Sequence, residues 1–415
     1  MSKISLATKG LSHEEMILQL KELIGEIPYK GKETFLNTPV LVNKSHLDDY
    51  KEITELLNKI IVSIALNYIT DDKLQDVYQL DEFFVSVLNT ANTVIYKTGV
   101  HHLDFIYDSE GQARICKAES TSTLNDWLLG SYINNITNKL ATDVDSNWSA
   151  IPDQSDFLSD FQNEFNAKEP IFLVHNNEKE SEINYLKSEF EKNNIRVIPV
   201  SPKEIAFVDD KLMAKGELAT QFILELNREE LRLFEPTVLR DVITKGKCIN
   251  DVRSIILLND RRFFSVIFDQ AIMPRYVSGP EFEFLIRFII PTYTLNNQAN
   301  RNALLEMEQN WILRNNSGGI TTGTYVKNEC TPEVWKDIIT NHWGEYVAQP
   351  YFEQKKYTLG EGDQSKEVNL LGSLLSFNGK SYGPGLFKGS SNSFINLKED
   401  GSVILSSIID SSPIE

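Results

Sequence analysis

A chain of 415 residues is too long for one ordinary hydrophobic core, so two or three domains are expected. With 59 acidic against 41 basic side chains, its formal charge of −18 repels phosphate backbones and anionic lipid, which excludes nucleic acid and membrane surfaces as main partners. The three dispersed cysteines, Cys116, Cys248 and Cys330, come without a Cys-x-x-Cys pair or Cys/His cluster and exclude a disulfide framework and a structural zinc site.

The opening MSKISLATKGLSHEEM has no apolar core of leader length. The longest apolar stretch, Ile60 to Ile69, is interrupted by Ser63 and Asn67 and reads as too short to span a bilayer. The expected setting is reducing and cytoplasmic. Residues 12–70 read as helices: Ile17, Leu18, Leu20 and Leu23 recur at helical spacing, as do Leu56, Leu57, Ile60 and Ile61, and Ser12 with Glu15 fits a helix start. Residues 81–97 read as helix. Leu103–Tyr107 and Ala113–Ala118 read as strands around the turn Asp108-Ser109-Glu110-Gly111. A polar stretch from 141 to 168 reads as a domain connection.

Beyond it, a strand at 170–175, a charged amphipathic helix at 178–193 and a strand at 195–200 form a βαβ pattern, implying a parallel, Rossmann-like sheet without the Gly-x-Gly-x-x-Gly of a dinucleotide site. Residues 217–241 read as helix and Ser254–Leu258 as a strand. The last 140 or so residues read as mixed α+β, with strands at Trp311–Leu313 and Tyr346–Ala348 around a helix at Thr331–Thr340. The fold class is therefore α/β and α+β, with expected units at 1–150, 151–275 and 276–415.

The chemistry concentrates in WILRNNSGGITTGTYVKNECTPEVWKDIITNHWGEYVAQPYFE, Trp311 to Glu353. Gly318, Gly319 and Gly323 permit close backbone approach to phosphates, Ser317, Thr321 and Thr322 add hydroxyl donors, and Arg314 supplies a permanent cation with a bidentate fork. Taken alone, such a loop also fits an ordinary hairpin. Elsewhere, His101, His102, His175 and His342 have no metal-helix spacing and read as structural, although His175 ends a strand where α/β ligand sites lie. Cys116 reads as a small buried apolar residue, and Trp311, Trp335 and Trp343 as packing.

The order of these parts resembles the ATP-grasp superfamily: a basic residue closing a strand, a glycine-rich loop, a helix, then a strand leading into a hinge at Val347-Ala348-Gln349-Pro350-Tyr351. More narrowly it resembles the circularly permuted ATP-grasp ligases, the group of glutathionylspermidine synthase and eukaryotic-type glutathione synthetase. Thr331-Pro-Glu-Val-Trp335 and the glycine-rich stretch Gly372–Leu397 fit that group. The resemblance implies a permuted ATP-grasp core whose metal-binding hairpin lies at 101–121, preceded in the middle of the chain by a Rossmann-like pre-ATP-grasp domain that helps form the acceptor pocket. The resemblance extends to Asn259-Asp260-Arg261-Arg262 and Phe288–Leu295, which look like the approach to the nucleotide half.

What it implies for function is an ADP-forming carboxylate–amine ligase working through an acyl phosphate, on a small amino acid, peptide or natural-product intermediate. ATP would be held by Arg261, Arg314, Ser317, Gly318, Gly319, Thr321, Thr322, Gln349 and Tyr351, with Arg314 and Lys388 neutralising its phosphates. Mg²⁺ would be held by Asp104, Glu119 and Thr121. The implied partners are small-molecule carboxylates and amines, with homodimerisation an option. Four sites depart from the family pattern: arginine for lysine at 314 and at 261, Glu119-Ser120-Thr121 for Glu-x-Asn, and lysine for arginine at 388. They keep two other outcomes open, a non-catalytic nucleotide-binding or interaction protein and an ATP-grasp phosphotransferase.

Overall fold

The structure is a computed structural model that describes residues 4–7, 10–24, 35–120, 128–141, 143–151, 156–176, 180–317, 323–360, 365–395 and 401–411. It is a mixed α/β fold in which three of the sheets hold most of the strands that matter here, and two of them wall one cleft.

In chain order, the strands that matter begin with β1 (Val100–Tyr107) and β2 (Ala113–Glu119), a hairpin. Its turn closes because Asp108 Oδ1 accepts from the backbone N–H groups of Glu110 and Gln112, at 3.1 and 2.9 Å, while Gly111 takes φ +80. Next come β3 (Ile171–His175), β4 (Val197–Val200), β5 (Gln221–Glu225) and β6 (Lys247–Ile249). Then follow β7 (Tyr293–Thr294), β8 (Trp311–Asn315), β9 (Thr324–Val326) and β10 (Tyr346–Pro350). The last are β11 (Lys366–Phe377), β12 (Lys380–Ser390) and β13 (Val403–Leu405).

The hairpin does not stay with its sequence neighbours. β1 pairs antiparallel with β11 over seven consecutive residue pairs, from Val100 opposite Phe377 to Ile106 opposite Leu371, giving the order β13-β12-β11-β1-β2. Strand alternation then sorts β1 by face: Leu103, Phe105 and Tyr107 enter the main core, while Asp104 and Ile106 line the cleft, with His102 on the same side of the strand. The join is close. A Cβ added at Gly372 would meet the Phe105 ring at 2.3 Å and the Phe387 ring at 2.7 Å.

Behind this sheet runs the helix Lys44–Asn67, capped by Asn43 Oδ1 accepting from the His46 N–H at 3.0 Å. With the turn after it, the segment Lys44–Thr70 is long and apolar enough to cross a membrane by length and composition, longer than the broken run Ile60–Ile69 indicates. Here its stripe of Tyr50, Ile53, Leu57, Ile60, Ile61 and Ile64 is buried in the core shared with Leu103, Phe105 and Phe387.

The second sheet, β6-β5-β3-β4, is parallel throughout. The strand, helix and strand expected from 170 to 200 occur as β3, the helix Glu180–Glu191 and β4. Two expectations fail next to them. The segment 217–241 is not one helix: Glu217–Leu218 and β5 are strands, and the helix Pro236–Lys245 starts only at Pro236, capped by the Glu235 carboxylate. Gln221-Phe-Ile-Leu-Glu225 is buried at every position, so a central strand covered on both faces shows no alternation by which to recognise it. Conversely, the expected strand at Ser254–Leu258 is the helix Val252–Leu257, started by Asp251 accepting from the Arg253 N–H at 2.8 Å. A short, wholly buried apolar run does not distinguish helix from strand.

The third sheet, β7-β10-β8-β9, is antiparallel, with the helix Pro332–Asn341 packed on it through Trp335, Ile338 and Ile339. Trp311 and Trp335 are buried packing residues, as expected.

Gly372→Ala is expected to lower the unfolding free energy by about 1–3 kcal/mol in a denaturant titration, because neither ring beside Gly372 has room to retreat from the dense core.

Candidate functional site

A cavity of about 700 Å³, counting its open mouth, lies between the first sheet and the third. Its apolar walls come from both: Ile106 and Leu371 on one side, Ile312 on the other, with Ile290 and Ile395 from connecting segments. Asp104, Cys116, Lys117, Arg314, Gln349 and Tyr351 line the same space. Four of the residues singled out from sequence, spread from position 104 to position 351, are thus brought to one cleft.

The third sheet orients two of them. Gln349 is 2% exposed, and its Nε2 donates to Thr292 Oγ1 at 2.8 Å. The Thr292 hydroxyl in turn donates to the Ile290 carbonyl at 3.0 Å. That relay fixes which way the Gln349 amide points, leaving Oε1 as the group able to accept from a ligand. Tyr351 donates its backbone N–H to the Asn310 carbonyl at 3.0 Å and its hydroxyl to Ser393 Oγ at 3.4 Å.

The basic groups are more unusual. Arg314 ends β8 8% exposed, with Nη1 donating to the Cys116 carbonyl at 3.2 Å and Nε left without a partner. Arg261 is 5% exposed, its Nη1 donates to the Asn315 carbonyl, and its Nε is also without a partner. Burial, then the neighbouring Arg314 charge, push the Arg261 guanidinium down to about 9, which leaves it cationic at neutral pH. Neither arginine meets a carboxylate at ion-pair distance among the described residues, whereas adjacent Arg262 is held bidentately by Asp260 at 2.9 and 2.6 Å. Two buried like charges with no carboxylate in ion-pair contact are costly in a protein interior and fit an anion supplied from outside.

The hairpin supplies the acids. Asp104 is 4% exposed and accepts from Ser373 Oγ at 2.9 Å. Burial pulls its carboxyl upward, but the His102, Lys117 and Lys388 charges and the Ser373 hydroxyl outweigh that and hold it below the usual carboxylate range. Glu119 sits opposite His102 in the strand register and pairs with Lys117. His102 Nε2 lies between the two carboxylates, 3.5 Å from Asp104 Oδ1 and 3.6 Å from Glu119 Oε2. The strand's end is tethered through Ser120, whose N–H donates to Asn259 Oδ1 at 2.7 Å and whose carbonyl accepts from Asn250.

Lys388 lies on β12 opposite Leu371, near enough for its charge to act on Asp104. Ser317 is exposed and caps the Asn315 side chain through its N–H at 3.0 Å. Gly318, Gly319, Thr321, Thr322 and Thr121 lie outside the described residues. His175 does not line the cleft; it ends β3, half-buried, and burial lowers its pKa. Burial pushes the Cys116 thiol up to about 11, so it stays neutral, in keeping with a packing role. Lys117 and Ser373 were not singled out from sequence, and His102 reads there as structural. The signal for Lys117 and His102 was there, since each stands two residues from an acid on the same strand face.

Asp104 and Glu119, expected as magnesium ligands, do not fit that use as they stand. Among the described residues no group of three or more His, Cys, Asp or Glu side chains is arranged to hold an ion, and both carboxylates already have a cationic or hydrogen-bonding partner from the protein on one oxygen.

A family model described as the AnkG N-terminal domain matches residues 53–257, just under half of the chain. No curated protein sequence matches. Among solved structures, an assigned gamma-glutamylcysteine synthetase from Methylobacillus flagellatus KT aligns over 83% of this chain and 85% of its own, at 8% identity and TM-score 0.42. A RimK domain ATP-grasp protein from Sphaerobacter thermophilus aligns over 59% and 92%, at 12% identity and TM-score 0.31. D-alanine–D-alanine ligase from Bacillus anthracis aligns over 57% and 90%, at 10% identity and TM-score 0.27. Likeness at this level is partial.

The lowered Asp104 pKa has a sign that can be checked. Its contribution to stability is present above the unfolded carboxylate value of about 3.9 and is lost as pH falls through the lower folded value. Asp104→Asn is expected to flatten the acid limb of the unfolding free energy below about pH 4 in urea titrations; an unchanged slope would contradict the burial and charge environment assigned to Asp104.

Proposed function

We propose that this protein binds ATP in the cleft and uses it to join a small carboxylate to an amine, releasing ADP and phosphate. The observation that carries the reading is the pair Arg261 and Arg314: buried, mutually repelling, each with an unpartnered Nε, at the foot of the glycine-rich segment. A polyphosphate satisfies such a pair, since guanidinium and phosphate oxygens match in charge and geometry. The apolar walls beside it suit a planar base, and the fixed acceptor Gln349 Oε1 suits an amino group on that base. Lys388 would complete the neutralisation.

The permuted ATP-grasp arrangement belongs to the same proposal. The pairing of β1 with β11 supports it, because a hairpin from near residue 104 completes the sheet of the C-terminal strands. The parallel sheet β6-β5-β3-β4 supports a Rossmann-like pre-ATP-grasp unit at 151–275, between units at 1–150 and 276–415.

In this reading a carboxylate oxygen of the substrate attacks the γ-phosphorus. The bond from that phosphorus to the β,γ-bridging oxygen breaks, and ADP leaves with the electron pair. The amine then attacks the acyl carbon, the carbon–oxygen bond to phosphate breaks, and the amine nitrogen gives up a proton. The chain's contribution is to position the triphosphate and spread its charge over fixed cations, Arg261 and Arg314 foremost. No step is routed through magnesium, because the hairpin donors do not fit it as they stand. A second reading, a non-catalytic nucleotide-binding protein, is favoured by the pairing of Glu119 with Lys117. The substrate would be a small amino acid, a peptide or a natural-product intermediate.

Incubating the protein with ATP and a panel of small acids and amines, with and without magnesium, and following products by mass spectrometry, is expected to show ADP release dependent on both substrates. Nucleotide binding without turnover across the panel selects the second reading. Arg314→Ala is expected to weaken ATP binding by about tenfold to a hundredfold, or roughly 1.4–2.8 kcal/mol, in isothermal titration; unchanged affinity removes the phosphate assignment.

A further inference from the structure

The residues facing the cleft from the hairpin include their own cationic and N–H donors at the place where a divalent ion would need bare carboxylates. Lys117 stands two residues before Glu119 on the same face of β2 and pairs with it. His102 Nε2 lies 3.5 Å from Asp104 Oδ1 and 3.6 Å from Glu119 Oε2, and the Ser373 hydroxyl donates to Asp104 Oδ1 at 2.9 Å. These are positions held by strand pairing and by burial, with His102 3% and Asp104 4% exposed.

We propose that this cleft binds its nucleotide without a divalent cation, with Lys117 doing the charge compensation that a bound ion would do. The inference rests on the nucleotide reading above and deepens it. A hard cation such as Mg²⁺ demands near-ideal oxygen coordination and gives up its water reluctantly. To enter here it would have to share Glu119 with the Lys117 ammonium held on Oε2 and Asp104 with the Ser373 hydroxyl held on Oδ1, and it would stand as a dication beside the Lys117 charge. The charge count makes the ion dispensable. Arg261, Arg314, Lys117 and Lys388 carry four positive charges against the two of Asp104 and Glu119, a surplus of two in a chain of net charge −18. That surplus is the local positive patch a polyphosphate requires.

The test uses the whole protein. ATP is titrated calorimetrically in excess EDTA and again in excess Mg²⁺. Affinities agreeing within about threefold support the proposal, and a tightening of about tenfold or more with Mg²⁺ overturns it. Absence of binding in both conditions overturns it together with the nucleotide reading, so the two failures are told apart. Lys117→Met is expected to weaken binding in EDTA by about tenfold and to make the remaining affinity respond to Mg²⁺, while Lys117→Arg keeps the wild-type pattern. Unaltered EDTA affinity in a folded Lys117→Met protein overturns the role given to Lys117. A readout that needs no variant is the electron paramagnetic resonance signal of Mn²⁺ with the wild-type protein and no nucleotide. The free-ion spectrum is expected to persist, and its loss, if reversed by Mg²⁺, overturns the proposal.

Discussion

The pairing of β1 with β11 is the constraint on which the rest of the molecule depends. Seven residue pairs fix residues near 100 against residues near 370, and the register leaves no choice of face, since a slip by one position would turn Asp104 into the core and Phe105 into the cleft. Leu103 and Phe105 bind that register to the helix Lys44–Asn67, so the core and the cleft are two sides of the same strand. Gly372 lets the Phe105 and Phe387 rings close over the join.

The proposed anion site would have to overcome an electrostatic problem. In a protein with this excess of acid, cations must be concentrated locally, and buried Arg261 and Arg314 stand with Lys117 and Lys388 as the groups available for it. Guanidinium is more weakly hydrated than ammonium and keeps its charge when buried, so it is the group that tolerates burial. Asp260 shows the contrast: it pairs with Arg262 and Arg228, while the adjacent Arg261 has no carboxylate at ion-pair distance among the described residues.

Much of this was legible in the sequence, for reasons that differ by element. The hairpin at 100–119 announced itself because Asp108 to Gly111 is a turn by local chemistry alone. Arg314 and Gln349 were legible through their order around the glycine-rich segment, and both line the cleft. The strand β5 was not legible, because burial on both faces erases the alternation that marks a strand. Lys117 was not legible, and His102 reads as structural, because a polar residue on a strand is ordinary until the register shows what stands opposite; Glu119 faces His102 only through the pairing of β1 with β2.

The long-range join also sets a timetable. Ile106 and its partner Leu371 are 265 positions apart, so at a synthesis rate of about 5–20 residues per second the ribosome needs roughly 13–50 s between them. For that interval the nascent hairpin presents an unpaired β1 edge bearing Leu103 and Phe105, the kind of surface that recruits foreign strands. The chain that builds a cleft from its two ends thus carries an interval of exposure in its biogenesis, during which the middle parallel sheet is complete and the outer one is still waiting for its last partner.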